Sequence, residues 1–291
     1  MADNYISYNV KSGSKSYTSQ GPFISIVSYA EINKIPYASI TLTDGDPSKQ
    51  DFELSSGSIF NPGEKISIEL GYNGKNKEVF SGIIIRHRIK SRSGESSVLY
   101  VECKHAALKM CSGRKTSFFD KKTDKDILTA LFGDSKVGGS LTCSGSFLKT
   151  EAPLQFNVTN WDYFMMRCEA NDKVVIFDCD KITVDNAKLS GSAVETYNYG
   201  TDILEYESEA DAEYQFKKIE ASSWDSDKQE VVKVTGKPAS FKQLENNGIK
   251  ISDLEGVLEG ESELTHCGEI PKDELTSWSS SKATNASLSK V

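Results

Sequence analysis

Short runs in which every second residue is apolar dominate the first hundred positions. Residues 23–29 (Phe-Ile-Ser-Ile-Val-Ser-Tyr), 38–43 (Ala-Ser-Ile-Thr-Leu-Thr) and 65–71 (Lys-Ile-Ser-Ile-Glu-Leu-Gly) alternate for at least part of their length. That period of two is what a strand with one buried face requires. Each run stops at a breaker: Gly45 with Pro47, Pro62-Gly63, and Asn73-Gly74. The last predicts a tight hairpin, because both residues tolerate positive φ. A longer strand over 79–92 faces 96–104 across Ser93-Gly94-Glu95, predicting a hairpin long enough to reach beyond its own barrel. Regular strands separated by turn signals predict a barrel or sandwich over residues 1–110.

The period changes between about residues 105 and 200. Thr123-Asp124-Lys125-Asp126 has the form of a capping box, Ile127, Leu128, Leu131 and Phe132 form an apolar stripe behind it, and Gly133 is placed to end the helix. Thr159-Asn160-Trp161-Asp162 repeats the box, and Trp161, Phe164, Met165 and Cys168 follow at helical spacing up to about Asn171. Runs 173–178 and 181–185, joined at Cys179-Asp180, predict a hairpin that this helix covers. Residues 111–200 are therefore expected to be an α+β insertion. From Glu213 strand patterning returns: 214–222 and 230–235 flank Asp225-Ser226-Asp227-Lys228, predicting a second long hairpin and a possible kinship between the first and last thirds. No closing strand is legible after it. The small, polar tail beyond Ser279 suits a helix start or a disordered end. Residues 201–291 are thus expected to begin a second barrel-like unit that stays incomplete, with its remainder beyond residue 291.

Length supports several units, since 291 residues exceed one ordinary core. The start carries no basic and apolar leader, and no stretch approaches a membrane span, so the chain is expected to fold in the cytoplasm where it is made. Six cysteines (Cys103, Cys111, Cys143, Cys168, Cys179, Cys267) spread over such a chain suggest reduced thiols rather than a disulfide framework. A formal net charge of -8 argues against a nucleic-acid partner, which selects a basic face. The charge is uneven: residues 1–110 carry 13 Lys and Arg against 11 Asp and Glu, whereas 205–274 carry 8 Lys against 18 Asp and Glu. A solvated acidic face explains this more simply than a steering surface.

The search for chemistry finds no catalytic set. Cys103, His105 and Cys111 offer three potential zinc ligands but lack paired ligand spacing, and core packing explains Cys103. Asp44-Gly45-Asp46-Pro47 with Asp51 resembles a calcium loop without the ligand order of an EF-hand; a turn in which Asp44 bonds the backbone is simpler. Trp161, Tyr163 and Phe164 suggest a sugar or base platform, but their helical setting favours core packing. No nucleophile elbow, phosphate-cradling loop or dinucleotide fingerprint is present. No catalytic, cofactor-binding or metal residue is therefore assigned, no cofactor is expected, and the chain is read as a non-enzyme.

Residues 31–46 (Glu-Ile-Asn-Lys-Ile-Pro-Tyr-Ala-Ser-Ile-Thr-Leu-Thr-Asp-Gly-Asp), Phe60-Asn-Pro-Gly-Glu-Lys-Ile66, Gly71-Tyr72 and Phe80-Ser-Gly-Ile-Ile84 resemble the VgrG-type tip proteins of type VI secretion and the spike proteins of related phage-tail-like contractile injection particles. Leu99-Tyr-Val-Glu-Cys-Lys104 with Ala107-Leu-Lys-Met110, Gly113-Arg-Lys115, and Asn160-Trp-Asp-Tyr-Phe164 with Arg167-Cys-Glu-Ala-Asn171 continue the likeness, in order, along about residues 20–240. The resemblance implies a mainly β, phage tail hub-like fold: two barrel-like tube domains around the α+β insertion. It implies a structural hub of the spike complex, a homotrimer whose pseudo-sixfold ring meets a hexameric, Hcp-like inner tube, with baseplate proteins and effectors as further partners. Assembly in the cytoplasm, a place at the apparatus tip, export on contraction and no membrane insertion by this segment follow from it. Interfaces are expected at edge strands and long hairpins, with 79–104 and 214–235 as candidates. Two rival readings remain open, a monomeric β-barrel that binds a ligand or glycan and a tail-associated cell-wall hydrolase.

Overall fold

The computed structural model describes residues 5–18, 21–57, 59–93, 95–149, 153–187, 193, 195–207, 211–238 and 251–288. Gly94, in the expected turn of the long hairpin, lies outside the described residues, as do residues 289–291 of the polar tail.

The alternating runs become an antiparallel seven-stranded sheet. It comprises β1 (Ile6–Ser12), β2 (Lys15–Thr18), β3 (Phe23–Tyr29), β4 (Tyr37–Thr43), β5 (Lys65–Tyr72), β6 (Lys75–Lys90) and β7 (Val98–Lys104), in the order β2-β1-β5-β6-β7-β4-β3. Alternation sends Ile40, Leu42, Ile66, Ile68, Phe80, Ile84, Leu99, Val101 and Cys103 into one core, with Phe60 from the β4–β5 connection. Burial of these side chains supplies the main driving force, about 1.5–3 kcal/mol for each large aliphatic or Phe. Asn73 and Gly74 join β5 to β6 at φ 55° and 77°, the left-handed pair expected of a tight hairpin. Strands β1 and β2 escape a hydrophobic reading because an inward position of β1 is Ser12, whose hydroxyl donates to the Ile59 carbonyl.

The middle of the chain builds a second core. A 3-10 turn (Ala106–Cys111) leads to β8 (Lys115–Phe118), α1 (Asp124–Asp134), β9 (Ser140–Cys143), β10 (Leu154–Val158), α2 (Asn160–Ala170), β11 (Val174–Asp178) and β12 (Lys181–Asp185). Both helix starts follow the sequence reading. Thr123 and Asp126 form a reciprocal capping box on α1, and the Thr159 hydroxyl accepts from the Asp162 N–H on α2. The β11–β12 hairpin pairs as expected, and β9 adds to β12 in parallel. Ile127, Leu128, Leu131, Phe164, Cys168, Val175, Ile182 and Val184 fill the core between helices and sheet.

This unit is clamped to the first sheet. Asn33, in the β3–β4 turn at φ 63°, donates its N–H to the Val175 carbonyl at 2.9 Å and accepts the Val175 N–H on Oδ1 at 2.8 Å. One turn residue thus mimics a strand partner for β11.

The last third differs from expectation. β13 (Lys218–Asp225) and β14 (Glu230–Thr235) form a hairpin shorter than 214–235 at its start, with Asp225 accepting the Asp227 and Lys228 N–H groups in the turn. After α3 (Ile251–Leu258), β15 (Glu261–His266) pairs in parallel with β13, so a strand does follow the hairpin and β13 is central. β15 was illegible because only Ser262 and Leu264 turn inward, and its pairing is non-local. The polar tail is helical: α4 (Lys272–Leu288) buries Leu275, Ser279, Ser281, Ala283, Thr284 and Ser287. Small residues permit contact too close for a larger side chain. A Cβ on Gly236 would lie 2.2 Å from the Ser279 carbonyl oxygen. A buried face of serines leaves no apolar stripe in the sequence.

Candidate assembly surfaces

The two hairpins singled out from sequence play different parts. In the seven-stranded sheet β7 lies between β6 and β4, and β6 lies between β5 and β7 only as far as Ile83; residues 86–90 of β6 pair with β7 alone and overhang β5, while the end strands are β2 and β3. In the last sheet β13 is interior, and β14 and β15 are the ends. Edge-strand recognition therefore has its backbone groups at β3 rather than at β7. β3 also exposes Ile24, Val27 and Tyr29.

What the long hairpin presents is a face. Opposite the buried Leu99, Val101 and Cys103 side, cross-strand rows run Tyr29–Tyr37–Lys104–Ile83 and Val27–Ser39–Glu102–Arg86 across β3, β4, β7 and β6. Tyr29 and Tyr37 stack with ring centroids 4.5 Å apart, Arg86 pairs with Glu102, and the Arg88 guanidinium lies 4.7 Å from the Tyr100 ring centroid. With Lys90 and Lys104 also exposed, this surface is basic and aromatic. The β13–β14 surface is different. Glu220 accepts hydrogen bonds from Lys218 and Lys233, which hold its carboxyl down at about 2.

The sequence-level chemical candidates are taken up by the architecture. Cys103 sits in the first core, where burial pushes its thiol up to about 12. The His105 Nδ1 accepts the Ala107 N–H at 3.0 Å and the ring packs edge-on against Phe177; burial lowers its pKa. Cys111 ends the 3-10 turn, half-buried. Asp44 is buried, its Oδ1 accepting from Gly45 at 2.9 Å and Leu54 at 3.0 Å and its Oδ2 from Ser55 at 2.8 Å. It is a backbone anchor, as the turn reading expects. Tyr163 and Phe164 lie in the second core with Trp161 against them, so the three form no open platform. Burial pushes the Tyr163 hydroxyl up to about 12. Among the described residues no group of three or more His, Cys, Asp or Glu side chains is placed to hold a metal ion, and no helix is long and apolar enough to cross a membrane.

Two features escaped the sequence reading. One is a buried ionic cluster: Arg167 of α2 donates from Nε and Nη2 to the two Asp124 oxygens of α1 at 2.7 and 2.8 Å, and from Nη1 to Glu274 of α4 at 2.6 Å. Asn171 Nδ2 adds 2.6 Å to Asp124 Oδ2. Burial opposes the Arg167 charge, but hydrogen bonding and attraction to Asp124 and Glu274 outweigh it and keep its pKa raised. Its signal was an Arg on the α2 face beside Cys168, where a purely apolar core needs none. The other is the connection after β12, where Tyr197, Tyr199, Leu204 and Tyr206 are exposed.

A seven-stranded sheet, an α+β unit clamped to it and a β hairpin unit backed by a helix define a tail-protein architecture. The 43 kDa tail protein of prophage MuSo2 from Shewanella oneidensis is similar at a TM-score of 0.63 and 10% identity, covering 96% of this chain and 76% of that one. A tail protein from Neisseria meningitidis MC58 is similar at 0.61 and 12% identity, covering 98% and 74%. The Francisella PdpA–VgrG complex is similar at 0.54 and 13% identity, covering 95% of this chain and 42% of that one. No curated protein matches the chain. The fold is mainly β and VgrG-like, of the tail hub type. The family described as Alg8 N-terminal domain matches residues 2–291, and the chain belongs to it.

Proposed function

We propose that the chain is a structural hub of the spike complex at the tip of a contractile injection apparatus, joining a trimeric spike to a hexameric inner tube. One observation carries this reading: the likeness to tail proteins runs through 95–98% of the chain, and so through both β units and the α+β unit between them. A shared single sheet would say much less. In this reading 1–110 and 201–291 are two tube domains, and 111–200 holds them at a fixed spacing. Three copies then offer six β units, two from each chain, to a sixfold tube, which is how a threefold body meets a hexamer. The hub transmits force and breaks no bond. Baseplate proteins and effectors are further partners, and the tip of the apparatus, loaded from the cytoplasm, is its station.

Light scattering on the chain tests this. A trimer, three times the 32.1 kDa chain mass, is expected, together with saturable binding to a hexameric tube protein. A strict monomer that ignores the tube would sink the reading.

A further inference from the structure

Residues 189–216 contain seven Asp and Glu and no Lys or Arg. Within this stretch Tyr197 is 68%, Tyr199 86%, Leu204 103% and Tyr206 67% exposed, so most of the surface of these large side chains faces solvent. Contiguous exposed apolar groups of this size mark an interaction site. The local shape is held: Asp202 Oδ2 accepts from the Asn198 backbone N–H at 2.9 Å and from its Nδ2 at 3.1 Å, and Tyr199 bridges to Ile203. A pre-shaped segment loses less entropy on docking.

The matching surface lies on the same chain but in another unit. The outer face of β3, β4, β7 and β6 presents Arg86, Arg88, Lys90 and Lys104 around Tyr29, Tyr37 and Tyr100, with Glu102 as the one acid in those rows and already paired to Arg86. Arginine over tyrosine, already present at Arg88 and Tyr100, is an arrangement further tyrosines would extend.

We propose that the acidic, tyrosine-bearing segment 195–207 of one copy docks on the basic outer face of β3, β4, β7 and β6 of a neighbouring copy. The occupant is a second copy because both halves of the complementary pair occur once per chain, at different places. Such a heterologous contact closes into a ring when the rotation permits. Opposite charge sets the register and speeds encounter, while the aromatic groups supply the buried area. The proposal rests on the hub reading and names which surfaces join its copies.

The experiment compares by light scattering the wild-type chain, Arg88→Glu with Lys104→Glu, Glu205→Lys with Glu207→Lys, and the chain carrying all four changes. Arg86 and Glu102 keep their pairing throughout. Each double variant is expected to weaken self-association at least about tenfold, and the fourfold variant to recover it, because the swapped charges again attract. A wild-type trimer that both double variants retain would overturn this contact and leave the hub standing; a wild type that never associates would overturn both. Should a variant lose its cooperative melt, a photo-crosslinker at Tyr199 in the otherwise wild-type chain decides. Crosslinks to residues 23–43 or 83–104 of a second copy support the contact, and crosslinks elsewhere, or none, overturn it.

Discussion

Arg167 and Glu274, 107 positions apart in sequence, meet at 2.6 Å between α2 and α4. Because Arg167 also grips both oxygens of the fully buried Asp124, one guanidinium ties α1, α2 and the C-terminal helix together. Apart from the fully buried Leu275, the buried α4 side chains are small ones such as Ser279 and Ala283, which pack closely but bury little apolar area each. The seating of α4 therefore depends on direction more than on burial.

Arg167→Met leaves Asp124 as a buried charge without its cation, and is expected to cost about 3–5 kcal/mol in chemical denaturation. Glu274→Ala removes the Glu274 arm of the cluster and is expected to cost about 1–3 kcal/mol. Hydrogen exchange separates the two: the glutamate variant should expose amides of 272–288 and leave 124–134 protected. Equal loss in both helices would show that α4 is seated by something else.

Asn33→Ala should loosen the clamp between the first sheet and the α+β unit. The change strands the N–H of Val175, a residue with no exposed surface, and places alanine at φ 63°. A cost of about 2–3 kcal/mol is expected. Asn33→Asp keeps the acceptor and should lose less than half as much, whereas Asn33→Gly relieves the backbone and loses only the side-chain bond. If all three melt alike, the clamp contributes nothing.

How much of this was readable is a matter of which force shaped each segment. Ile40, Leu42, Ile66 and Ile68 alternate because one face of their sheet is dry, and Thr123 with Asp126 announces α1 because capping is local. Ser279, Ser281, Thr284 and Ser287 hide α4, since small polar side chains are buried there by close packing, as Ser279 is against Gly236, and not by hydrophobicity. β15 depends on a parallel partner more than thirty-five residues upstream. The candidate surface was half legible. Residues 79–104 were singled out as a long hairpin, whose β6 arm does run past β5 over 86–90, while Arg88, Tyr100 and Lys104 share an exposed face that only the register of β6, β7 and β4 assembles.

Calcium should leave the melting temperature unchanged. The carboxylate oxygens of Asp44 are engaged by three backbone N–H groups, and Asp46 Oδ1 is engaged by the N–H and hydroxyl of Ser48. A cation would have to displace those donors. Asp44→Ala, by contrast, should cost about 1–3 kcal/mol, because the part-buried amides of Gly45, Leu54 and Ser55 lose their acceptor. A calcium-dependent rise in melting temperature that EDTA reverses would restore the ion-loop reading.

Asp172→Asn should stabilise the protein, and more so at pH 7 than at pH 3. Burial raises the Asp172 carboxyl above its ordinary 3.8, while Lys173 and a hydrogen bond from Ser281 pull the other way and do not fully offset it. The folded form therefore holds its proton to higher pH than the unfolded chain. Below the unfolded value both states are protonated and burial exacts nothing; as pH rises through the folded value the carboxylate must ionise in a half-buried site, and stability falls. Asparagine never ionises, so it escapes that loss. It also suits φ 53°, which Asp172 adopts just past the end of α2. Solvent screening at this site keeps the gain at neutral pH small, about 0.5 kcal/mol. Only the backbone share of it should survive at pH 3. Denaturation curves at the two pH values decide, and a gain that is larger in acid would mean that burial of the carboxylate is not what sets the cost.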